Sequence, residues 1–121
     1  MKVLITGAGG QIARALLAGA PPGMSVTALT HRELDITDEG AVDVCVARLS
    51  PDVIINGAAY TAVDRAESDV EVAARINTDG PRYLALAAAR SGARLVHIST
   101  DFVFDGASST PYRPDSPTNP L

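Results

Sequence analysis

Residues 2–13 read KVLITGAGGQIA. Lys2–Thr6 is a short β-branched run bounded by glycines, and it reads as a buried strand. The chain then enters Gly7-Ala8-Gly9-Gly10-Gln11-Ile12-Ala13, with Gly7 and Gly10 three positions apart and Ala13 in a third small position. Each small residue meets a physical need. Gly7 permits a tight turn, Gly10 lets backbone approach a pyrophosphate, and Ala13 allows close packing of helix on strand. The helix that follows presents free N–H groups and a positive dipole end to phosphate. A glycine triplet alone is a weak signal. One set between a first strand and a first helix is a stronger one.

Working outward, strand-like and helix-like patterns alternate. Gln11–Ala18 carries apolar residues at helical spacing (Ile12, Ala15, Leu16, Leu17) and is stopped at Pro21–Gly23. Ser25–Leu29 reads as a second strand. Thr37 or Asp38 can cap a helix over Glu39–Leu49, with Val42, Val46 and Leu49 on one face. Pro51-Asp52 leads into a third strand, Val53–Asn56, followed by a loop over Gly57–Ala66. The pattern from Asp69 to Arg90 is helical, with a break or kink expected near Gly80 because Pro81 lies inside it. Ser91-Gly92 ends it, and Arg94–Ile98 is a fourth strand. Pro111, Pro114, Pro117 and Pro120 make the tail a loop. The βαβαβαβ alternation implies an α/β fold, a Rossmann-like doubly wound parallel sheet, most simply of order 3-2-1-4.

With 121 residues, 46% of them hydrophobic, the chain has room for one globular domain with a core. A net charge of −4 argues against a nucleic-acid partner, which calls for a basic patch. No apolar run approaches the roughly 20 residues of a membrane helix, and Val3–Ile5 is too short for a signal peptide. The expectation is a cytoplasmic protein with no membrane partner. The single cysteine, Cys45, lies in an apolar helical pattern and reads as buried filler. No metal ligands are assigned.

Two further places point to chemistry. The second strand ends in Thr30-His31-Arg32, where a dinucleotide domain for NAD usually carries an acidic residue for the ribose. Arg32 either pairs with a 2′-phosphate, which favours NADPH over the alternative NADH, or is a solvated loop charge. The fourth strand lies in LVHISTDFVFDG, residues 95–106. Its apolar run, Leu95 to Ile98, reads as buried and stops at Ser99, Thr100 and Asp101. Hydroxyls and a carboxylate at the end of a buried strand are costly without partners or a ligand. Strand carboxyl ends are where open α/β sheets bind ligands.

These segments together resemble the extended short-chain dehydrogenase/reductases, and within them the dTDP-4-dehydrorhamnose reductases. The matching stretches are VLITGAGGQIARAL at 3–16, ELDITD at 33–38, PDVIINGAAYTAVDRAE at 51–67, Ile76-Asn77, LVHISTDFVFDG at 95–106 and PYRPDSPTNPL at 111–121. The third and fifth are specific to that group. The resemblance implies that Gly10, Gln11 and Ile12 line a pyrophosphate, beside Gly7 in the turn. Thr30 and Arg32 would face the adenosine ribose, Asp35 and Ile36 the adenine, and Ala59, Tyr60 and Thr61 the nicotinamide half. Asn77 would support the catalytic centre or tie backbone segments together. Thr100 matches the catalytic Ser/Thr, and Asp101 a neighbouring substrate contact. Phe102 stands where many relatives have Tyr, so that hydroxyl is absent.

The implied reaction is NADPH-dependent reduction of a dTDP-sugar ketone, dTDP-4-dehydro-6-deoxy-L-mannose, to dTDP-L-rhamnose. Such a reaction builds charge on the ketone oxygen and needs a donor for it. The family uses a Tyr with a Lys four residues later. Here Tyr60 is followed at that spacing by Asp64, Tyr83 by Ala87 and Tyr112 by Ser116, and the only lysine is Lys2. The expectation is therefore the N-terminal NAD(P)-binding half, residues 1–121, of a longer reductase with its substrate domain missing. This piece would be inactive alone and prone to associate through an uncovered sheet edge, with a homodimer for the full-length protein. The competing reading is a non-catalytic NAD(P)-binding module, similar to the regulatory subunit of methionine adenosyltransferase. An epimerase or dehydratase of the same family is a third, which STDFVFDG disfavours.

Overall fold

The computed structural model describes residues 1–120. Four parallel strands, β1 (Lys2–Thr6), β2 (Ser25–Leu29), β3 (Val53–Asn56) and β4 (Arg94–His97), alternate with helices. The helix α1 spans Gln11–Ala18, and α2 spans Glu39–Leu49. Asp38 caps α2 by accepting from the Ala41 N–H at 2.9 Å. Val42 and Val46 on its inner face are buried, with Leu49 packed beside them. Cys45 is buried too, and burial pushes its thiol pKa up, which keeps it inert.

The strand order is 2-1-3-4, not the expected 3-2-1-4. Alternation alone does not say on which side of β1 the third strand lands. Three features decide it. β3 is VIIN, with Ile54 and Asn56 buried, so it needs neighbours on both sides. β2 is SVTAL and only half-buried, which suits an edge. Asn56 also requires a polar partner in register, and β1 supplies Thr6.

Leu4, Ile54, Leu84 and Val42 form the main core between the sheet and α2 plus the later helix; Val3, Ile5 and Ala13 form a smaller one under α1. The fourth strand departs from expectation. It pairs only with β3, and Val96 and Ile98 are 46% and 41% exposed. The core under α1 reaches Val26, Ala28 and Ile55 but not β4. The run Leu95–Ile98 is thus an edge rather than a buried strand.

Residues 63–91 hold two more departures. Val63–Ala66, inside the expected loop, forms a short helix, α3. The chain does not break at Gly80, whose backbone is helical. Instead α4 (Val70–Ala74) runs into α5 (Gly80–Ser91) through a wider π turn, Arg75–Asp79. Proline at 81 lacks an N–H and crowds the carbonyl four residues back, and a widened turn relieves both problems without breaking the helix. Gly92 closes α5 in the left-handed conformation at φ 74°. No described helix is long and apolar enough to cross a membrane.

Candidate functional site

The turns after β1 and β3 meet at the carboxyl edge of the sheet. Gly7 sits at φ +74°, and a Cβ there would lie 2.7 Å from backbone atoms of Gly57 and Ala58. Only glycine gives both the conformation and the clearance. Gly10 N–H closes the turn onto Gly7 O at 2.9 Å. Gly10 then leads α1 with no side-chain cap, so the first helical N–H groups are left for another acceptor. Arg14 Nη2 donates to Gly9 O at 2.7 Å and sets a guanidinium beside the turn.

These turns frame a cleft of about 370 Å³ lined by Gly7, Gly9, Gly10, Thr30, His31, Leu34, Asp35, Ile36, Gly57, Ala58, Ala59 and Ile76. That volume lies within the ordinary range for small-molecule sites. The cleft stands between β1 and β3, where the strand order reverses direction, the place an open α/β sheet offers to ligands. It brings together six of the sequence-assigned positions: Gly7, Gly10, Thr30, Asp35, Ile36 and Ala59. Gln11, Ile12, Arg32, Tyr60 and Thr61 do not line it.

At the β2 end the sequence offers no carboxylate at position 30, yet one arrives from position 33. Glu33 Oε2 accepts from the Thr30 N–H at 2.8 Å and its hydroxyl at 2.7 Å. Those two bonds hold the Glu33 pKa below its usual value. Asp35 behaves similarly. Burial opposes its ionisation, but the Thr37 N–H and hydroxyl, at 2.9 and 2.8 Å, together with His31 and Arg75 keep its pKa low. Arg32 is exposed beside this mouth.

The loop after β3 is tied from behind. Asn77, in the π turn, accepts from Tyr60 N–H at 2.8 Å and donates to Tyr60 O at 3.1 Å. The Tyr60 hydroxyl donates to Asp69 at 2.7 Å, which raises its own pKa. The phenol therefore serves as a peg for the loop. Gly80 completes the support, because a Cβ there would lie 2.5 Å from Ile36 Cδ1.

Thr100 and Asp101 lie past the end of β4 and are exposed. The Thr100 hydroxyl accepts from Phe102 N–H and donates to Asp101 Oδ1, both at 3.2 Å, opening a single 3₁₀ turn, Asp101–Val103. Long bonds of this kind leave the hydroxyl proton free to turn to a stronger acceptor. The segment beyond is pinned by Asp105, which accepts from Asn119 Nδ2, Ala107 N–H and the Tyr112 hydroxyl; together they hold its pKa at about 2. Phe104 stacks on Tyr112 at 4.3 Å.

Sequence reading missed Ile76 in the cleft lining, Arg14 and Glu33 bonded to its lining residues Gly9 and Thr30, and the polar row Thr6, Asn56 and His97 beneath it. Glu33 was within reach, since a carboxylate three positions after Thr30 is a capping spacing. The polar row depends on register across three strands and has no local signal. A second, larger depression of about 740 Å³ opens at the opposite end of the sheet, among Asp43, Ser50, Asp52, Arg90 and Arg94. The C-termini of α2 and α5 face it, and Arg90 is already paired with Asp43. Helix C-termini and carboxylates disfavour phosphate, so it does not compete for an anionic ligand.

Comparison with known proteins places this geometry in context. The family model described as "RmlD substrate binding domain" matches residues 1–121. The chain is 48% identical to a dTDP-4-dehydrorhamnose reductase of Mycobacterium tuberculosis over 98% of its own length and 40% of that protein's. Among solved structures, a dTDP-4-dehydrorhamnose reductase from Clostridium acetobutylicum superposes with TM-score 0.96 at 42% identity, over 99% of this chain and 43% of that one. A Bacillus anthracis dTDP-4-dehydrorhamnose reductase solved in complex with NADP gives TM-score 0.95 at 38% identity, over 98% and 43%. The chain thus spans about 40% of the length of the curated relatives it matches.

Proposed function

Because the chain belongs to the RmlD substrate binding domain family, we propose that it is the NAD(P)-holding part of a reductase acting on dTDP-4-dehydrorhamnose. The observation that carries this reading is the β1/β3 cleft, walled by backbone where no Cβ fits at Gly7. A pyrophosphate fits that chemistry, because uncapped N–H groups of α1 and the Arg14 guanidinium both favour anionic oxygen. Thr30, Asp35 and Ile36 would hold the adenosine half, and Ala59 the approach to the nicotinamide. Gln11 and Ile12 would act through the first turn of α1. Tyr60 and Thr61 would contribute backbone more than side chain, given the Tyr60–Asp69 bond.

NADPH, when bound, supplies a hydride for the ketone. Thr100 would turn its hydroxyl from Asp101 to the substrate carbonyl, and Asp101 would orient the sugar beside it. The dTDP-sugar, the cytoplasmic setting that goes with such a soluble substrate, and a homodimer of the whole protein belong to the same reading. The exposed Val96, Ile98 and Phe102 support association of some kind. Lacking a tyrosine with a lysine four residues on, this 121-residue chain would bind NADPH without turning it over.

Titration of the chain with NADPH and NADH, for wild type and Arg32→Ala, tests the reading. The expected result is NADPH binding that Arg32→Ala weakens by about tenfold, with NADH affinity unchanged. Equal loss for both cofactors removes Arg32 from the 2′-phosphate. No binding of either one overturns the proposal.

A further inference from the structure

Thr6, Asn56 and His97 hold matched positions on β1, β3 and β4, since the register pairs Thr6 with Asn56 and Asn56 with His97. Thr6 and Asn56 are each 1% exposed. Buried polar side chains persist in a sheet only when their atoms are satisfied. One backbone group fixes the direction of every bond in this row. The Ala58 N–H can only donate, and it meets Asn56 Oδ1 at 3.1 Å. The same oxygen accepts the Thr6 hydroxyl at 2.5 Å. Asn56 Nδ2 is thereby turned toward His97 Nδ1, 3.0 Å away. An amide NH₂ has no lone pair to offer, so His97 Nδ1 must be the acceptor and carry no proton. The ring is then neutral, with its proton on Nε2.

We infer that His97 is a positioning residue that acts through Asn56 to hold Ala58, and with it the Gly57–Ala59 wall of the cleft. This role rests on the cofactor reading of that cleft. Without an acceptor at position 97, a hydrogen of the buried Asn56 amide has no protein partner. A flipped amide is no remedy, because its NH₂ would then face the Ala58 N–H. The row therefore links a ring on the exposed edge strand to backbone that lines the cleft at the end of the neighbouring strand, through a single amide.

The test uses the full 121-residue chain. Imidazole ¹⁵N NMR of the wild type is expected to give His97 with a bare Nδ1 and a protonated Nε2. NADPH affinity is expected to fall roughly threefold to tenfold in His97→Phe, which keeps a ring but offers no acceptor. His97→Asn sets a carbonyl oxygen one bond beyond Cγ, where Nδ1 stands, and is expected to restore affinity to within about twofold of wild type. His97→Ala replaces the phenylalanine variant if that one fails to fold. A proton on Nδ1, unchanged affinity in the acceptor-free variant, or an asparagine variant as weak as it overturns the inference. If the wild-type chain binds no NADPH, the cofactor reading falls and the positioning role falls with it, while the NMR result still decides the hydrogen-bond row by itself.

Discussion

Two polar regions share the carboxyl edge of this sheet and are built in opposite ways. The β1/β3 cleft is walled by backbone at Gly7 and supported from behind so tightly that neither Gly7 nor Gly80, which packs on Ile36, has room for a methyl group. The region after β4 is made of exposed and half-buried side chains bonded within one segment: Thr100 to Asp101 and Phe102, and Asp105 to Ala107, Tyr112 and Asn119. The cleft is shaped before any ligand arrives. Beyond β4 the Thr100 hydroxyl is held by long bonds and can rearrange around a ligand, on a segment that Asp105 pins. Specific binding of a large, flexible anion suits the preshaped first design, and contact with a reacting carbonyl suits the second.

The contrast breaks if substitutions in the two regions cost the same. Gly7→Ala should have the largest effect. It adds left-handed strain to a 2.7 Å collision with backbone and should destabilise the fold by about 2–4 kcal/mol, read from urea unfolding, with loss of NADPH binding. Gly80→Ala comes next, at about 1–3 kcal/mol, because its new methyl meets Ile36 Cδ1 at 2.5 Å. The double variant sharpens the point. In an Ile36→Ala background the collision is gone, and Gly80→Ala should become stabilising by about 0.5–1 kcal/mol through helix propensity. Thr100→Val, in the looser region, should shift stability by only about 0.5 kcal/mol and leave NADPH affinity of the chain unaltered.

The smallest effect is local and depends on pH. The folded Asp105 carboxyl titrates at about 2, below its ordinary 3.8. Order that depends on its charge is complete above that ordinary value and is lost as pH falls through about 2. Amide NMR signals of Ala107 and Asn119 should therefore change in that window while those of Gly7 and Gly57 hold. Asp105→Asn should flatten the response of the tail.

The sequence made some of this legible and hid the rest for physical reasons. The strand–glycine–helix opening, the Asp38 cap and the Gly92 stop are local, and a local pattern can be read from neighbours in the chain. The strand order was not local. It depends on β3 needing cover on both sides and on Asn56 finding Thr6, and neither is visible in βαβ alternation. Pro81 announced a disturbance but not its form, since a π turn and a break satisfy the same missing N–H. Leu95–Ile98 looked buried because apolar runs usually are, and burial depends on what packs above them. At the site, Gly7 and Gly10 could be assigned from spacing, and Ala59 only from the resemblance. The peg formed by Tyr60, Asp69 and Asn77, the return of Glu33 onto Thr30, and the row ending in His97 all arise from contacts between segments.

The central claim is that the β1/β3 cleft is where this chain takes a dinucleotide. Backbone amide shift mapping during NADPH titration tests it most directly. The account predicts saturable shifts at Gly7–Ile12, Thr30–Ile36, Gly57–Ala59 and Ile76, with little change at Asp43, Asp52, Arg90 and Arg94 around the opposite depression. Shifts confined to that depression, or none at the glycine turn at saturating NADPH, would contradict it.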